Sequence, residues 1–160
     1  MAFEAEAVVN NLLAARQQLI TQSYGLLPQQ LAERPAEDEW CALEVLAHIP
    51  DVYVHYFTQT RRIHGEPGCT LTPFDVEEWK ENHPEARSLG REAILAQLAK
   101  AHTPIVDFAR GLTEEEMGRE AQSPRGTITV KGMLERIAGH DRAHARQIAA
   151  VREALEKKGR

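Results

Sequence analysis

Residues 130–155 read VKGMLERIAGHDRAHARQIAAVREAL, which is the pattern of an amphipathic helix. At about 100° per residue, its apolar side chains fall on one stripe, formed by Val130, Met133, Leu134, Ile137, Ile148, Val151 and Leu155. His140 and His144 fall within this stripe or at its edge, and Asp141 also points into it. A helix with one apolar stripe buries that stripe against other elements, so the segment predicts one helix of a bundle.

Three further segments have the same periodicity: residues 3–24, 40–63 and 88–110. In the first, apolar side chains recur at helical spacings, at Val8, Leu12, Ala15 and Leu19. In the third, Ser88 is the predicted N-cap, and Pro104 predicts a kink. Between the first two helices, Pro28 predicts the start of a short helical turn.

Strand signals are nearly absent, because only Thr127–Val130 alternates and this run is too short to carry a sheet. Four long amphipathic helices without a sheet predict an all-α fold, a four-helix bundle, with residues 1–160 as a single domain. The long connection between helices 2 and 3, residues 64–87, permits a topology other than simple up-down-up-down. Its apolar side chains predict that it is packed, and these are Phe74, Val76 and Trp79.

The composition of the 160-residue chain excludes several classes of function. The formal net charge is −5 and no long basic stripe is present, which argues against nucleic-acid binding. No run of about 18 apolar residues occurs, so no transmembrane helix is expected. The two cysteines, Cys41 and Cys69, predict no disulfide scaffold and favour a reducing cytoplasm. We therefore expect a cytoplasmic protein with no nucleic acid and no membrane as partner.

The first candidate site is the pair His140 and His144, which are one helical turn apart. Residues four apart on a helix have Cβ atoms about 5–6 Å from each other, so two imidazoles can bind one divalent metal. The alternative is a set of hydrogen-bonded polar groups in the core, because histidine pairs at this spacing also arise by chance. A metal site needs a further ligand, since catalytic sites use three protein groups and leave a position open.

The second helix supplies candidates for that further ligand. It is apolar or small over most of its circumference and carries one narrow polar wedge, formed by Glu44, His48, Asp51 and His55. In one interpretation the wedge lines an internal cavity and part of the apolar surface contacts a second subunit, which predicts a homodimer. In the other interpretation the wedge is the solvated side. Pro50 predicts either a bend that aims the His48 ring or a break in the helix.

Three blocks of the chain, in this order, resemble the DinB-like (DinB/YfiT) superfamily of metal-binding four-helix bundles. The first is residues 31–35 followed by residues 40–49, WCALEVLAHI, which is similar to the family's tryptophan, helix and histidine block. The second is the mid-chain connection with the third helix. The third is residues 126–130, GTITV, followed by the spacing of His140, His144 and Gln147, which resembles the family's closing motif. The resemblance covers residues 7–155.

The resemblance implies a divalent metal held by His48, His140 and His144. Family members are associated with nickel, zinc, iron or manganese, and zinc or nickel is the expected ion. The resemblance also implies a metal-dependent transferase or hydrolase acting on a small electrophilic substrate, with a low-molecular-weight thiol as a candidate cofactor. Asp51 and Asp141 are candidates for orienting the ligands or transferring protons.

Two alternatives to this function stay open at the level of the sequence. One is a non-catalytic stress-response or interaction module that keeps the bundle and the metal site. The other is a histidine-containing bundle that holds no metal. The remaining histidines of interest, His64, His83 and His102, are expected to be structural residues and not ligands.

Overall fold

The computed structural model describes residues 3–159. Four long helices form the body of the protein: α1 (Phe3–Tyr24), α3 (Ala42–Gly65), α5 (Arg91–Arg110) and α7 (Val130–Lys158). Three short helices lie in the connections: α2 (Pro28–Leu31), α4 (Val76–Asn82) and α6 (Glu114–Met117). Two strands, β1 (Glu120–Ser123) and β2 (Gly126–Thr129), form a hairpin that leads into α7.

The long helices form a bundle in which α1 lies diagonally across from α3, and α5 lies diagonally across from α7. Helix α1 packs against α5 and α7, and α3 packs against the same two helices. The α1–α3 and α5–α7 pairs, by contrast, share few contacts. The predicted all-α four-helix bundle is therefore confirmed, and its topology differs from simple up-down-up-down, in which consecutive helices are neighbours.

The core consists of the side chains that carry the helical periodicity. All seven residues of the α7 stripe are at most 5% exposed, as are the four periodic residues of α1. Burial of each large aliphatic side chain contributes about 1.5–3 kcal/mol to folding, which makes this stripe the main stabilising feature of α7.

Helix α5 begins later than predicted. Ser88 is not the N-cap, because residues 86–88 form a separate 3₁₀ turn and Leu89 is extended. The helix begins at Arg91 after Gly90. It is continuous through Pro104, whose missing N–H frees only the carbonyl of the exposed Lys100, which water can reach.

The sequence analysis did not predict the β-hairpin that precedes α7. Strands β1 and β2 pair antiparallel from Glu120 opposite Thr129 to Ser123 opposite Gly126. Gly126 has a φ of +111°, a conformation that favours glycine at the turn. Thr129 then caps α7, because its hydroxyl accepts a hydrogen bond from the N–H of Gly132. The β-like run was thus correctly placed, but it has a partner strand that the sequence prediction omitted.

The connection between α3 and α5 is packed onto the bundle, as predicted. Of the three side chains predicted to pack, Trp79 is buried and Phe74 is partly buried, whereas Val76 is 38% exposed. Leu71 and Ala86 are also buried, and α4 lies in the middle of the connection. Helix α3 runs without interruption past Pro50, so the prediction of a helix break there is wrong. Cys41 and Cys69 are both buried and unpaired, which agrees with the absence of a disulfide scaffold among the described residues.

Most of the apolar surface of α3 is buried within its own chain. Residues such as Leu46, Ile49 and Tyr53 are fully buried, whereas Val54 is 58% exposed. The homodimer stays a prediction, as does the single domain, whose bounds include residues 1, 2 and 160 outside the described range. Between residues 3 and 159, no helix combines the length and the apolar character that crossing a membrane requires.

Candidate metal centre

Three histidine side chains from two helices meet at one point of the bundle. His48 comes from α3, and His140 and His144 come from α7. One ring nitrogen from each lies within 4.8 Å of the other two. The ring centroids are 4.2 Å apart for His140 and His144 and 4.7 Å apart for His48 and His144. Among the described residues this is the only group of three or more potential metal ligands with such geometry. We call these three residues the triad.

The spacing of the two α7 histidines suits a shared ligand. Their Nε2 atoms lie 3.0 Å apart. Two nitrogens that each bind one ion at about 2.0–2.1 Å with a tetrahedral angle lie about 3.3 Å from each other. The distance seen in the protein is close to that value, so little movement would bring both rings onto one ion.

Two of the triad rings have their Nδ1 atoms held by oxygen acceptors. Nδ1 of His48 donates to the backbone carbonyl of Val45, one turn earlier on α3. Nδ1 of His144 lies 2.6 Å from the side-chain oxygen of Gln147. Because each acceptor requires the proton on Nδ1, the neutral ring presents a bare lone pair at Nε2. This arrangement fixes both the tautomer and the orientation of the two rings.

Nδ1 of His140 is buried and has no hydrogen-bond partner among the described residues. If its ring donated from Nε2 to Nε2 of His144, an acceptor lone pair at Nδ1 would be left unsatisfied in the interior. If the proton were on Nδ1, both Nε2 lone pairs would face each other across 3.0 Å. A cation between the two Nε2 atoms removes that repulsion, so the donor set fits a metal ion.

The environment keeps the three imidazoles in the neutral form that binds metals. Burial and, to a smaller extent, the nearby imidazole of His144 lower the pKa of His48 to about 3, although the hydrogen bond with Val45 opposes this shift. Burial, followed by the charges of His144 and His48, lowers the pKa of His140 to about 3. Burial also lowers the pKa of His144. At neutral pH all three rings are therefore neutral ligands.

The start of α3 is anchored, and this positions His48. The carboxylate of Glu44 forms two hydrogen bonds with the guanidinium of Arg34, at 2.9 and 2.8 Å, and accepts a third from the N–H of Cys41. Burial alone would raise the pKa of Glu44, but the hydrogen bonds from Arg34 and Cys41 lower it to about 2. The segment before the helix is thereby fastened to its first turn, one turn away from His48.

Two tryptophans pack edge-on against the His48 ring. The centroid of Trp40 is 5.0 Å from that ring and the centroid of Trp79 is 5.9 Å from it. The indole N–H of Trp79 donates to Asp51 at 2.7 Å, which connects α4 to α3. The sequence prediction counted Trp79 only as a core residue of the connection, and its contact with His48 is a long-range feature of the fold.

A cavity of about 680 Å³ opens beside the triad. Besides the three histidines, its walls include Trp40, Tyr56, Phe74 and Gln147. Lys80 is also at this cavity and lies over the ring of Trp40, at 5.2 Å from its centroid. We call this space the triad cavity. Its volume is in the range of pockets that take small molecules.

The four residues of the predicted polar wedge of α3 lie in four different environments. Glu44 binds Arg34, and only His48 joins the triad. Asp51 is exposed and accepts a hydrogen bond from the indole N–H of Trp79. It is therefore connected to the triad only through the Trp79 side chain. His55 donates from Nε2 to the carbonyl of Thr72 at 2.8 Å, which fastens the long connection to α3. Neither interpretation of the wedge as one surface is therefore correct.

Asp141 lies in the core and takes part in a second polar group. Its Oδ2 accepts a hydrogen bond from the hydroxyl of Tyr53 at 2.6 Å, and its Oδ1 is buried without a partner. The ring of Tyr53 packs on His102, whose Nδ1 lies 3.3 Å from the guanidinium of Arg16. Burial raises the pKa of Asp141 to about 7, despite the opposing effects of Tyr53 and Arg16. The sequence prediction did not identify Tyr53 or Arg16, which come from other helices.

The other histidines have structural partners. Nε2 of His64 lies 2.5 Å from the carboxylate of Glu116, the ring of His83 stacks on Trp79, and His102 is fully buried beside Arg16. In the part of the chain that the structure describes, none of the three belongs to a cluster of potential ligands.

Comparison with known proteins places these features in a family. The sequence profile of the DinB superfamily matches residues 8–148. The chain belongs to the DinB superfamily. The predicted family is therefore confirmed over most of the described chain.

Individual relatives agree with the family and the fold. A protein of Geobacillus kaustophilus (strain HTA426), named "Putative metal-dependent hydrolase GK0616", is 27% identical over 156 residues, which cover 94% of this chain and 87% of that protein. The structure of YfiT from Bacillus subtilis, described as a probable metal-dependent hydrolase with an unusual four-helix bundle topology, has a TM-score of 0.80 at 20% identity. That match covers 99% of this chain and 90% of YfiT.

A second solved structure that matches the fold is that of a mycothiol-dependent maleylpyruvate isomerase. Its structure matches with a TM-score of 0.66 at 17% identity, over 91% of this chain and 62% of the isomerase. At such identity the likeness shows a shared fold.

Proposed function

We propose that the triad binds one divalent metal ion and that the protein is a metal-dependent transferase or hydrolase acting on a small electrophilic substrate. The observation that carries this proposal is the convergence of three neutral imidazoles, two of them with Nδ1 held by an acceptor, at the wall of the triad cavity. Zinc or nickel is the ion we expect first, and iron or manganese also suits imidazole ligands.

Different residues of the protein would have different roles at such a site. His48, His140 and His144 would hold the ion, which leaves at least one ligand position open and lowers the pKa of a water or thiol bound there. Val45 and Gln147 keep the His48 and His144 rings in the ligating tautomer. The aromatic side chains of the triad cavity exclude water and offer an apolar surface to the substrate.

A low-molecular-weight thiol is the co-substrate we propose. The support for it is the shared fold with the mycothiol-dependent isomerase together with the volume of the triad cavity, which accommodates a small molecule beside the histidines.

The test is turnover by protein loaded separately with zinc, nickel, iron or manganese. Each form is incubated with glutathione, mycothiol or bacillithiol and an electrophilic substrate, or with an activated ester alone, and product formation is measured. We expect at least one metal form to catalyse a reaction that His144→Ala abolishes and His64→Ala retains. Stoichiometric metal binding without turnover of any of these substrates would contradict the enzyme and favour the non-catalytic module.

A further inference from the structure

A second cavity, of about 430 Å³, lies next to the triad cavity. The two cavities share two lining residues, Tyr56 and His140. Arg136, one turn before His140 on α7, lines the second cavity, as does Arg125 from the turn between β1 and β2. We call this space the arginine cavity. Its position gives a bound molecule access to the same histidine that the triad uses.

The charge of the arginine cavity is uniformly positive. No aspartate or glutamate is among its lining residues, although the chain as a whole carries 24 acidic residues and a net charge of −5. The guanidinium groups of Arg125 and Arg136 make no hydrogen bond or ion pair with other side chains or carbonyls in the described part of the chain. By contrast, Arg34 and Arg119 are each paired with a carboxylate. Two unpaired arginines at one cavity wall form a local site of positive potential.

A buried amide adds a further donor to this wall. Gln59 is only 6% exposed, and its side-chain oxygen accepts a hydrogen bond from the N–H of Thr72 at 3.4 Å. Its side-chain nitrogen donates to no described residue and is not sealed in the interior, because Gln59 lines the cavity. This donor is therefore accessible from the cavity, where a ligand or water can accept its hydrogen bond.

We propose that the arginine cavity binds an oxyanion, a carboxylate or phosphate group of the small molecule on which the protein acts. Arg125 and Arg136 supply charge-assisted hydrogen bonds, which are stronger than neutral ones, and Gln59 supplies a neutral donor. The anionic group anchors the molecule beside His140, and its uncharged part extends along Tyr56 toward the triad cavity. The assignment of this anion to the substrate rests on the function proposed above, whereas the anion site itself does not.

The experiment measures anion binding in the absence of metal. Metal is removed with a chelator, the chelator is dialysed away, and the metal-free protein is titrated with inorganic phosphate and, separately, with acetate and succinate. The backbone amide NMR signals of residues 123–127 and 136–140 are followed. We expect saturable shifts whose dissociation constant increases at least about tenfold in Arg136→Ala, because one charge-assisted contact is lost. Arg125→Ala changes the affinity in the same direction. Tighter binding of phosphate or of the carboxylates identifies which oxyanion the cavity prefers.

Arg146→Ala is the matched control. Arg146 is also an α7 arginine, but it is exposed and lines neither of these cavities. Alanine favours helices, so both α7 variants are expected to fold, and Arg125→Ala lies outside the helix. Absence of saturable shifts in the wild-type protein, unchanged binding in Arg136→Ala, or an equal loss in Arg146→Ala would overturn the proposal. Because no metal is present, such a result leaves the triad proposal untouched.

Discussion

The side-chain oxygen of Gln147 lies 2.6 Å from Nδ1 of His144, three residues earlier on the same helix. This contact is local in sequence, yet it determines which nitrogen of His144 faces the triad. With the proton held at Nδ1, the Nε2 lone pair lies 3.0 Å from Nε2 of His140. Gln147 is therefore a positioning residue for the proposed metal site.

Replacement of Gln147 by leucine is expected to weaken metal binding without removing a ligand. Loss of a hydrogen-bond partner behind a ligating histidine reduces metal affinity by about 10–100-fold. Gln147→Glu keeps an acceptor oxygen and should retain the affinity. The measurement is the dissociation constant for zinc by competition with a chelating dye. The control Gln97→Leu changes an exposed glutamine of α5 and should leave the affinity unchanged. Equal affinities for Gln147→Leu and the wild type would contradict this role.

The buried contact between Tyr53 and Asp141 is expected to stabilise the fold. Tyr53→Phe leaves a buried carboxyl group with neither oxygen paired, which should lower the free energy of unfolding by about 2 kcal/mol. Tyr24→Phe, which removes an exposed hydroxyl bonded to Glu92, should change it by less than about 0.5 kcal/mol. Urea unfolding of Tyr53→Phe, Asp141→Leu and the double variant measures the coupling. Additive effects would show that the hydrogen bond contributes nothing.

The lowered pKa of Glu44 predicts that the free energy of unfolding depends on pH. Its pKa is lowered to about 2 in the folded protein, so its contribution is present above the unfolded value near 4.5 and is lost as the pH falls through about 2. At pH 7, Glu44→Gln should cost about 2 kcal/mol, after allowance for solvent screening at the partly exposed Arg34.

Urea unfolding at a series of pH values from 7 to 2.5 tests this dependence. The difference between wild type and Glu44→Gln is expected to be constant down to about pH 4.5 and then to shrink. Glu37→Gln, at an exposed position, serves as the control and should differ little from wild type throughout. A Glu44→Gln difference that is independent of pH would show that the loss is one of packing and not of charge.

The sequence alone predicted the helix bundle, because the helical periodicity of apolar residues can be recognised within each segment. The stripe of α7 and the spacing of Val8 to Leu19 in α1 predicted buried faces that the structure confirms. The strand Glu120–Ser123 was missed, because EAQS has little β-propensity and is a strand only through pairing with β2. The start of α5 was misplaced by three residues, since Ser88 fits an N-cap locally while the chain forms a separate 3₁₀ turn there.

The candidate site was predictable to the level of its histidines but not of their surroundings. The spacing of His140 and His144 and the resemblance around His48 identified three residues that the structure brings together. Asp51 and Asp141 were candidates for orienting the ligands or transferring protons, and the structure shows hydrogen bonds from Trp79 to Asp51 and from Tyr53 to Asp141. Such partners come from helices distant in sequence, and helical wheels show only which face a residue occupies.

The most direct test of the metal site is to titrate metal-free protein with zinc and to measure binding by isothermal titration calorimetry. We predict one ion per chain, and a loss of affinity of at least about 100-fold in each of His48→Ala, His140→Ala and His144→Ala. His55→Ala, which removes a histidine of the same helix bonded to Thr72, should bind zinc as the wild type does. Absence of stoichiometric binding, or wild-type affinity in any of the three triad variants, would contradict the account.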